Sequence, residues 1–134
     1  MIYILDACAM IAFLRGEVGA EVVAEILRNP DDQCFAHAIN LCEVYYDFFR
    51  ASGEEVARAA VRDLEAVGIQ IREEFSTAFW QAAGTTKAQH ARISLADCFA
   101  ITLARMLGGT VLTTDHREFD PVAALGICQV RFIR

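Results

Sequence analysis

Short apolar runs alternate along this chain with longer segments whose apolar residues recur at helical spacing, and that alternation limits the fold more than any other feature. Ile2-Tyr3-Ile4-Leu5 is apolar throughout and reads as a strand buried on both faces. Cys34-Phe35-Ala36, Ile69-Gln70-Ile71, residues 110–114 and residues 128–133 are the other strand candidates. Between them lie helical patterns. Residues 19–29 carry Val22, Val23, Ile26 and Leu27 on one stripe, stopped by Asn29-Pro30. A helix is expected from about 39 to 51, ended by Ser52-Gly53, and another over 54–67, closed by Gly68. Residues 75–91 and 94–107 read as helices, the second ended by Gly108-Gly109, and Pro121 starts a short helix over 121–125. Strands separated by helices predict an α/β fold: a largely parallel sheet covered by helices on both faces.

A chain of 134 residues favours one domain over residues 1–134 with one sheet-centred core. Hydrophobic residues make up 55% of it, which excludes a disordered chain. No apolar run reaches the roughly 18 residues that suggest a membrane span. The start, MIYILDACAM, has no basic region before its apolar stretch, and Asp6 breaks that stretch, so no signal peptide is expected. Five cysteines, an odd number without a CxxC pair, point to reduced thiols and a cytoplasmic location. His37, His90 and His116 have no zinc-site spacing. The net charge of −6 argues against a general nucleic-acid binder, whose affinity rests on cations. The cations present are nonetheless skewed to arginine, with Lys87 the one lysine, and arginine suits bidentate phosphate contacts.

Ligands of open α/β sheets sit beyond the carboxyl ends of the strands, which directs attention to the acids there. Asp6 follows the first strand and Asp115 follows the strand 110–114. Either alone is a common turn residue. Asp97 lies three residues after Ser94, and Glu43 three after Asn40, each pair matching a capping box. Yet both acids are set in apolar stretches, with no Lys or Arg in the same turn to pair them, and unpaired buried charge is costly. Four ionised carboxylates in one dry site repel, and divalent cations relieve the repulsion. Oxygen-only ligands suit Mg²⁺ or Mn²⁺, and carboxylate-held ions are the apparatus of phosphodiester hydrolysis. Spacing alone leaves this reading and that of structural caps equally open.

At these residues the chain resembles the PIN-domain ribonucleases, and in particular their VapC-type branch from bacterial toxin–antitoxin pairs. The matching stretches are Ile4-Leu5-Asp6-Ala7-Cys8-Ala9-Met10-Ile11-Ala12-Phe13-Leu14, Asn40-Leu41-Cys42-Glu43-Val44, Ser94-Leu95-Ala96-Asp97-Cys98 and Leu112-Thr113-Thr114-Asp115-His116-Arg117-Glu118-Phe119. They occur in family order across nearly the whole chain. The resemblance implies a PIN-like sheet with Asp6, Glu43, Asp97 and Asp115 at one cleft as metal-binding and catalytic acids. It also implies Mg²⁺- or Mn²⁺-dependent endonucleolytic cleavage of RNA. A hydroxyl near the last acid is usual in the family, and Thr113 supplies it. Two departures stand out. Cys8 occupies the place of a usual Ser or Thr two residues after the first acid. Many members also carry a further acid soon after the fourth; here Arg117 lies nearby, with Glu118 and Asp120 as candidate substitutes.

The family further implies a homodimer and a cognate antitoxin seated in a hydrophobic groove. Tyr45, Tyr46, Phe48, Phe49, Phe75, Phe79 and Trp80 are many aromatics for one small core, which fits an interface. A haloacid-dehalogenase-type phosphatase needs an acid where Cys8 stands, and a receiver domain needs a late lysine after a strand. The strongest rival is a PIN scaffold that binds RNA or a partner without cutting. The expected chemistry is attack by metal-activated water, leaving a 5′-phosphate and a 3′-hydroxyl. No histidine, serine or cysteine arrangement offers a competing nucleophile.

Overall fold

The computed structural model describes residues 1–134. Five parallel strands form one sheet: β1 (Ile2–Leu5), β2 (Gln33–His37), β3 (Ile69–Arg72), β4 (Thr110–Thr113) and β5 (Gln129–Phe132), in the spatial order β3-β2-β1-β4-β5. β1 is central, with Ile4 level with Phe35 of β2 and Val111 of β4. Seven helices cover the sheet: α1 (Ala7–Arg15), α2 (Ala20–Arg28), α3 (Ala38–Ser52), α4 (Glu54–Ala66), α5 (Thr77–Gln89), α6 (Leu95–Leu107) and α7 (His116–Ala124). None is long and apolar enough to cross a membrane.

Strand alternation divides the core into two clusters. Tyr3 and Leu5 of β1, Cys34 and Ala36 of β2, and Leu112 of β4 pack against Met10, Val23, Val44 and Leu64 from α1–α4. Ile4, Phe35 and Val111 face the other way, onto Phe79, Phe99, Ile101, Phe119 and Val122 from α5–α7. Burial on both faces is why β1 reads as a continuous apolar run, whereas the edge strands β3 and β5 alternate. After the αL cap Gly108 of α6, Gly109 lets β4 approach β1. A Cβ there would lie 2.5 Å from Ile4 Cδ1 and 3.0 Å from the Ile2 carbonyl oxygen.

Three elements differ from the sequence expectation. α1 carries apolar residues nearly all round, so no stripe announces it; Ala9, Met10 and Ala12 are fully buried. α3 begins earlier than the capping-box reading of Asn40 and Glu43 requires. Its N-cap is His37, whose Nδ1 accepts from Ile39 N at 3.1 Å, so Asn40 is the third helical residue and Glu43 lies in the second turn. α7 starts at His116 rather than at Pro121, with Asp115 as N-cap, and Pro121 lies inside it. Pro121 removes one helical hydrogen bond. Phe119 and Val122, both fully buried, anchor the helix on either side of it.

Candidate metal centre

β1, β2 and β4 each hand over to a helix at the carboxyl edge of the sheet, so α1, α3 and α7 all point their N-termini there. α6 is brought to the same edge by Asn40, whose Nδ2 donates to the Ala96 carbonyl at 3.3 Å. Helix N-termini favour negative charge, and this edge collects it. Asp6 caps α1: Oδ1 accepts from Ala9 N at 2.8 Å, while Oδ2 is buried and has no hydrogen-bond partner. Asp115 caps α7 through Oδ1, which accepts from Glu118 N at 3.0 Å. Each of these acids commits one oxygen to a helix and leaves the other free.

The Ser94–Asp97 half of the sequence reading holds in an altered form. Ser94 Oγ accepts from Asp97 N at 3.2 Å. The Ser94 N–H, which a capping box gives to the third helical residue, goes instead to Glu118 Oε2 at 3.3 Å. Asp97 therefore does not serve as the reciprocal cap, and its carboxylate meets Asp115 and Glu118. Those three residues each offer a ligand atom within 4.8 Å of the others. Glu118 belongs to the cluster; Asp120 does not, its Oδ1 being 2.9 Å from His116 Nδ1. Glu43 lies at the rim, half-buried, with Asn40 Nδ2 at 3.5 Å from Oε1 and the charge of Glu118 acting on it.

Proton affinities record the crowding. Desolvation, reinforced by Asp115 and Glu43, pushes the Asp6 carboxyl up to about 7. The Thr113 hydroxyl favours its ionised form without meeting good hydrogen-bond geometry; that same oxygen accepts from Asp115 N at 2.9 Å. Asp97 is pushed well above the carboxylate range by burial, then by a carboxyl–carboxyl hydrogen bond with Glu118 and the charges of Asp6 and Glu118. Burial likewise raises Glu43. Cys8, in the first turn of α1, has its thiol pushed to about 12 by desolvation and by Asp6, Asp97 and Asp115. It stays protonated at neutral pH and is no thiolate nucleophile.

An all-oxygen set of this kind fits a hard divalent cation: three acids converge, a fourth is fully buried, and its Oδ2 makes no hydrogen bond. Of the residues singled out in the sequence, Asp97 and Asp115 share the cluster. Asp6 and Thr113 back it, Glu43 flanks it, and Cys8 borders it. Glu118 was foreseen only as a substitute, because its role depends on a helix that starts five residues earlier than Pro121 suggested.

The PIN domain family model matches residues 3–125. The chain is 28% identical over 117 residues to ribonuclease VapC42 of Mycobacterium tuberculosis, covering 81% of this chain and 87% of that one. The fold matches VapBC-1 from nontypeable Haemophilus influenzae with a TM-score of 0.73 at 21% identity, over 99% of this chain and 98% of that one. It also matches M. tuberculosis VapC20, a sarcin-ricin-loop-cleaving toxin, with a TM-score of 0.72 at 17% identity, over 96% and 98%. With the family model spanning nearly the whole chain and every acidic stretch inside it, this chain belongs to the PIN-domain family.

Proposed function

We propose that the chain is an endoribonuclease that hydrolyses RNA phosphodiester bonds with Mg²⁺ or Mn²⁺ held by Asp97, Asp115 and Glu118, supported by Asp6 and Glu43. The observation that carries this is the buried, partnerless Oδ2 of Asp6 behind three converging carboxylates. Capping occupies one oxygen each of Asp6 and Asp115 and gives no role to the buried Oδ2 of Asp6 or to the convergence of Asp97, Asp115 and Glu118. A bound divalent cation supplies activation of water and stabilisation of the leaving oxygen. The protein's own part is orientation. The Glu118–Ser94 bond ties α7 to the start of α6, and Asn40 ties Glu43 to the same turn. Asp97 at the start of α6 is then held against Asp115 and Glu118 at the start of α7. Purified protein is expected to cut RNA in Mn²⁺ or Mg²⁺, to stop in excess EDTA, and to leave 5′-phosphate and 3′-hydroxyl ends. Equal cleavage in EDTA, or a 2′,3′-cyclic phosphate product, refutes the reading.

The assembly reading follows the family. The solved relatives include VapBC toxin–antitoxin complexes, one from Rickettsia felis bound to a promoter DNA fragment. Tyr46, Phe49, Phe75 and Trp80 are exposed, and we assign this surplus of apolar surface to a homodimer and to a small antitoxin partner. Sedimentation at micromolar concentration is expected to give a dimer, and a monomer alone refutes it. Co-expression with the product of a small adjacent reading frame should yield an inactive complex.

A further inference from the structure

Six of the eleven arginines form no ion pair, and two of these six, Arg92 and Arg117, lie on the chain segments that carry the acidic cluster. Arg117 is exposed in the first turn of α7, between Asp115 and Glu118 in sequence, yet has no carboxylate within ion-pair distance. Arg92 is exposed in the loop leading into α6, two residues before Ser94, whose N–H is bound by Glu118. Two residues of chain span at most about 7 Å, so both arginines lie on segments directly attached to the cluster. Neither is placed where helix stability favours it, because a cation near a helix N-terminus opposes the helix dipole.

The Arg92 loop is also held in place. Lys87 Nζ donates to the carbonyls of Ala91 and Ile93, each at 2.7 Å, Ile93 N donates to the His90 carbonyl, and the Ile93 side chain is buried. The one lysine of the chain thus brackets Arg92 from inside and leaves its guanidinium to solvent. A flexible, merely solvated loop arginine has no need of such a clamp.

We infer that Arg92 and Arg117 form a two-armed clamp for the RNA phosphates adjoining the scissile one, with Lys87 as the residue that positions the Arg92 arm. The inference rests on the ribonuclease reading and deepens it. It also accounts for how a chain of net charge −6 holds a polyanion. Affinity is concentrated in two guanidinium groups beside the metal centre instead of spread over a basic face. Neutralisation of the cluster by Arg117 is the competing role, and it predicts altered metal affinity with unaltered RNA binding.

The test is binding of a short fluorescein-labelled, mixed-sequence oligoribonucleotide, followed by anisotropy in Ca²⁺ across a salt series. It compares wild type with Arg92→Gln, Arg117→Gln, the double variant, Lys87→Met, and Arg105→Gln at the far end of α6. Each clamp variant should raise Kd at low salt by about fivefold or more. Each should also reduce the slope of log Kd against log salt by about 0.7, the value for one phosphate contact on a single strand. Lys87→Met should raise Kd without removing a full increment of slope, Arg105→Gln should match wild type, and Mn²⁺ affinity by calorimetry should be unchanged throughout. Clamp variants that retain the wild-type Kd and slope, while wild type still cleaves RNA, overturn the clamp and leave the ribonuclease reading standing. Altered Mn²⁺ affinity with unchanged RNA binding overturns it in favour of neutralisation. If wild type shows neither binding nor metal-dependent cleavage, both fall together.

Discussion

At the scale of single residues the site is a balance of repulsions, and its pH dependence follows in sign. The Asp6 carboxyl titrates at about 7 in the folded protein, against 3.8 ordinarily. The folded state therefore keeps a proton that the unfolded chain gives up. The stability associated with it is fully present below about pH 4 and is lost as pH rises through about 7. At about 1.4 kcal/mol per pKa unit, Asp6 alone accounts for a loss on the order of 4 kcal/mol in the metal-free protein. Asp97, raised further, extends the loss to higher pH. Chelated protein is expected to melt at progressively lower temperature from about pH 5 to pH 8.5, and Mn²⁺ should raise Tm more at the upper end than at the lower. Scanning calorimetry that finds neither trend contradicts the site as described. Asp97→Asn keeps the size of the side chain, and Ser94 still caps Asp97 N. The variant should fold, melt higher than wild type without metal, and lose activity by more than about 100-fold. Glu118→Gln is expected to weaken Mn²⁺ binding by about tenfold or more in a calorimetric titration. Strand ends and a Ser-x-x-Asp start mark Asp6, Asp97 and Asp115 in the sequence, but helix caps carry the same marks, and only the family resemblance singles these acids out as ligands. Glu118 has no such mark, because a carboxylate three residues past another acid acquires meaning only when the intervening segment is known to be helical.

Among the elements, the central strand β1 was the easiest to read, since it is short and wholly apolar, while β3 and β5 show only as alternating pairs of apolar residues. The errors fell at helix starts, where one residue outweighs periodicity. His37 caps α3 with an imidazole nitrogen, a role that Ser, Thr, Asp or Asn usually fills, so Asn40 was the natural but wrong candidate. The same ring bonds the Glu74 carbonyl through Nε2 at 2.9 Å, stacks on Phe79 at 5.4 Å and meets Phe99 edge-on at 5.0 Å. Losing the cap alone costs about 1 kcal/mol, and truncating a buried ring adds a cavity. His37→Ala is therefore expected to destabilise the protein by about 2–4 kcal/mol in urea denaturation, whereas Arg62→Ala, exposed on α4, should stay within about 0.5 kcal/mol. A loss for His37→Ala no larger than that for Arg62→Ala would remove His37 as the joint between β2, α3 and α5.

For the molecule as a whole, the topology sets the order in which function can arise. β1 precedes the other four strands and lies at the centre of the sheet, but one of its two partners is β4, more than a hundred residues later. The site has the same span: Asp6 follows the first strand, while Asp115 caps the last helix and Glu118 lies in its first turn. Pairing between distant strands forms late in folding. A chain ended after Gly108 lacks β4, β5 and α7; circular dichroism and a cleavage assay are expected to find it neither cooperatively folded nor active, and a folded, active fragment would refute this. During synthesis Asp6 is made long before Asp115 and Glu118, so a growing chain carries the first acid of the site without the partners that complete it. It is inert by the order of its parts, delivered in a sequence that withholds the whole until Glu118 has been added.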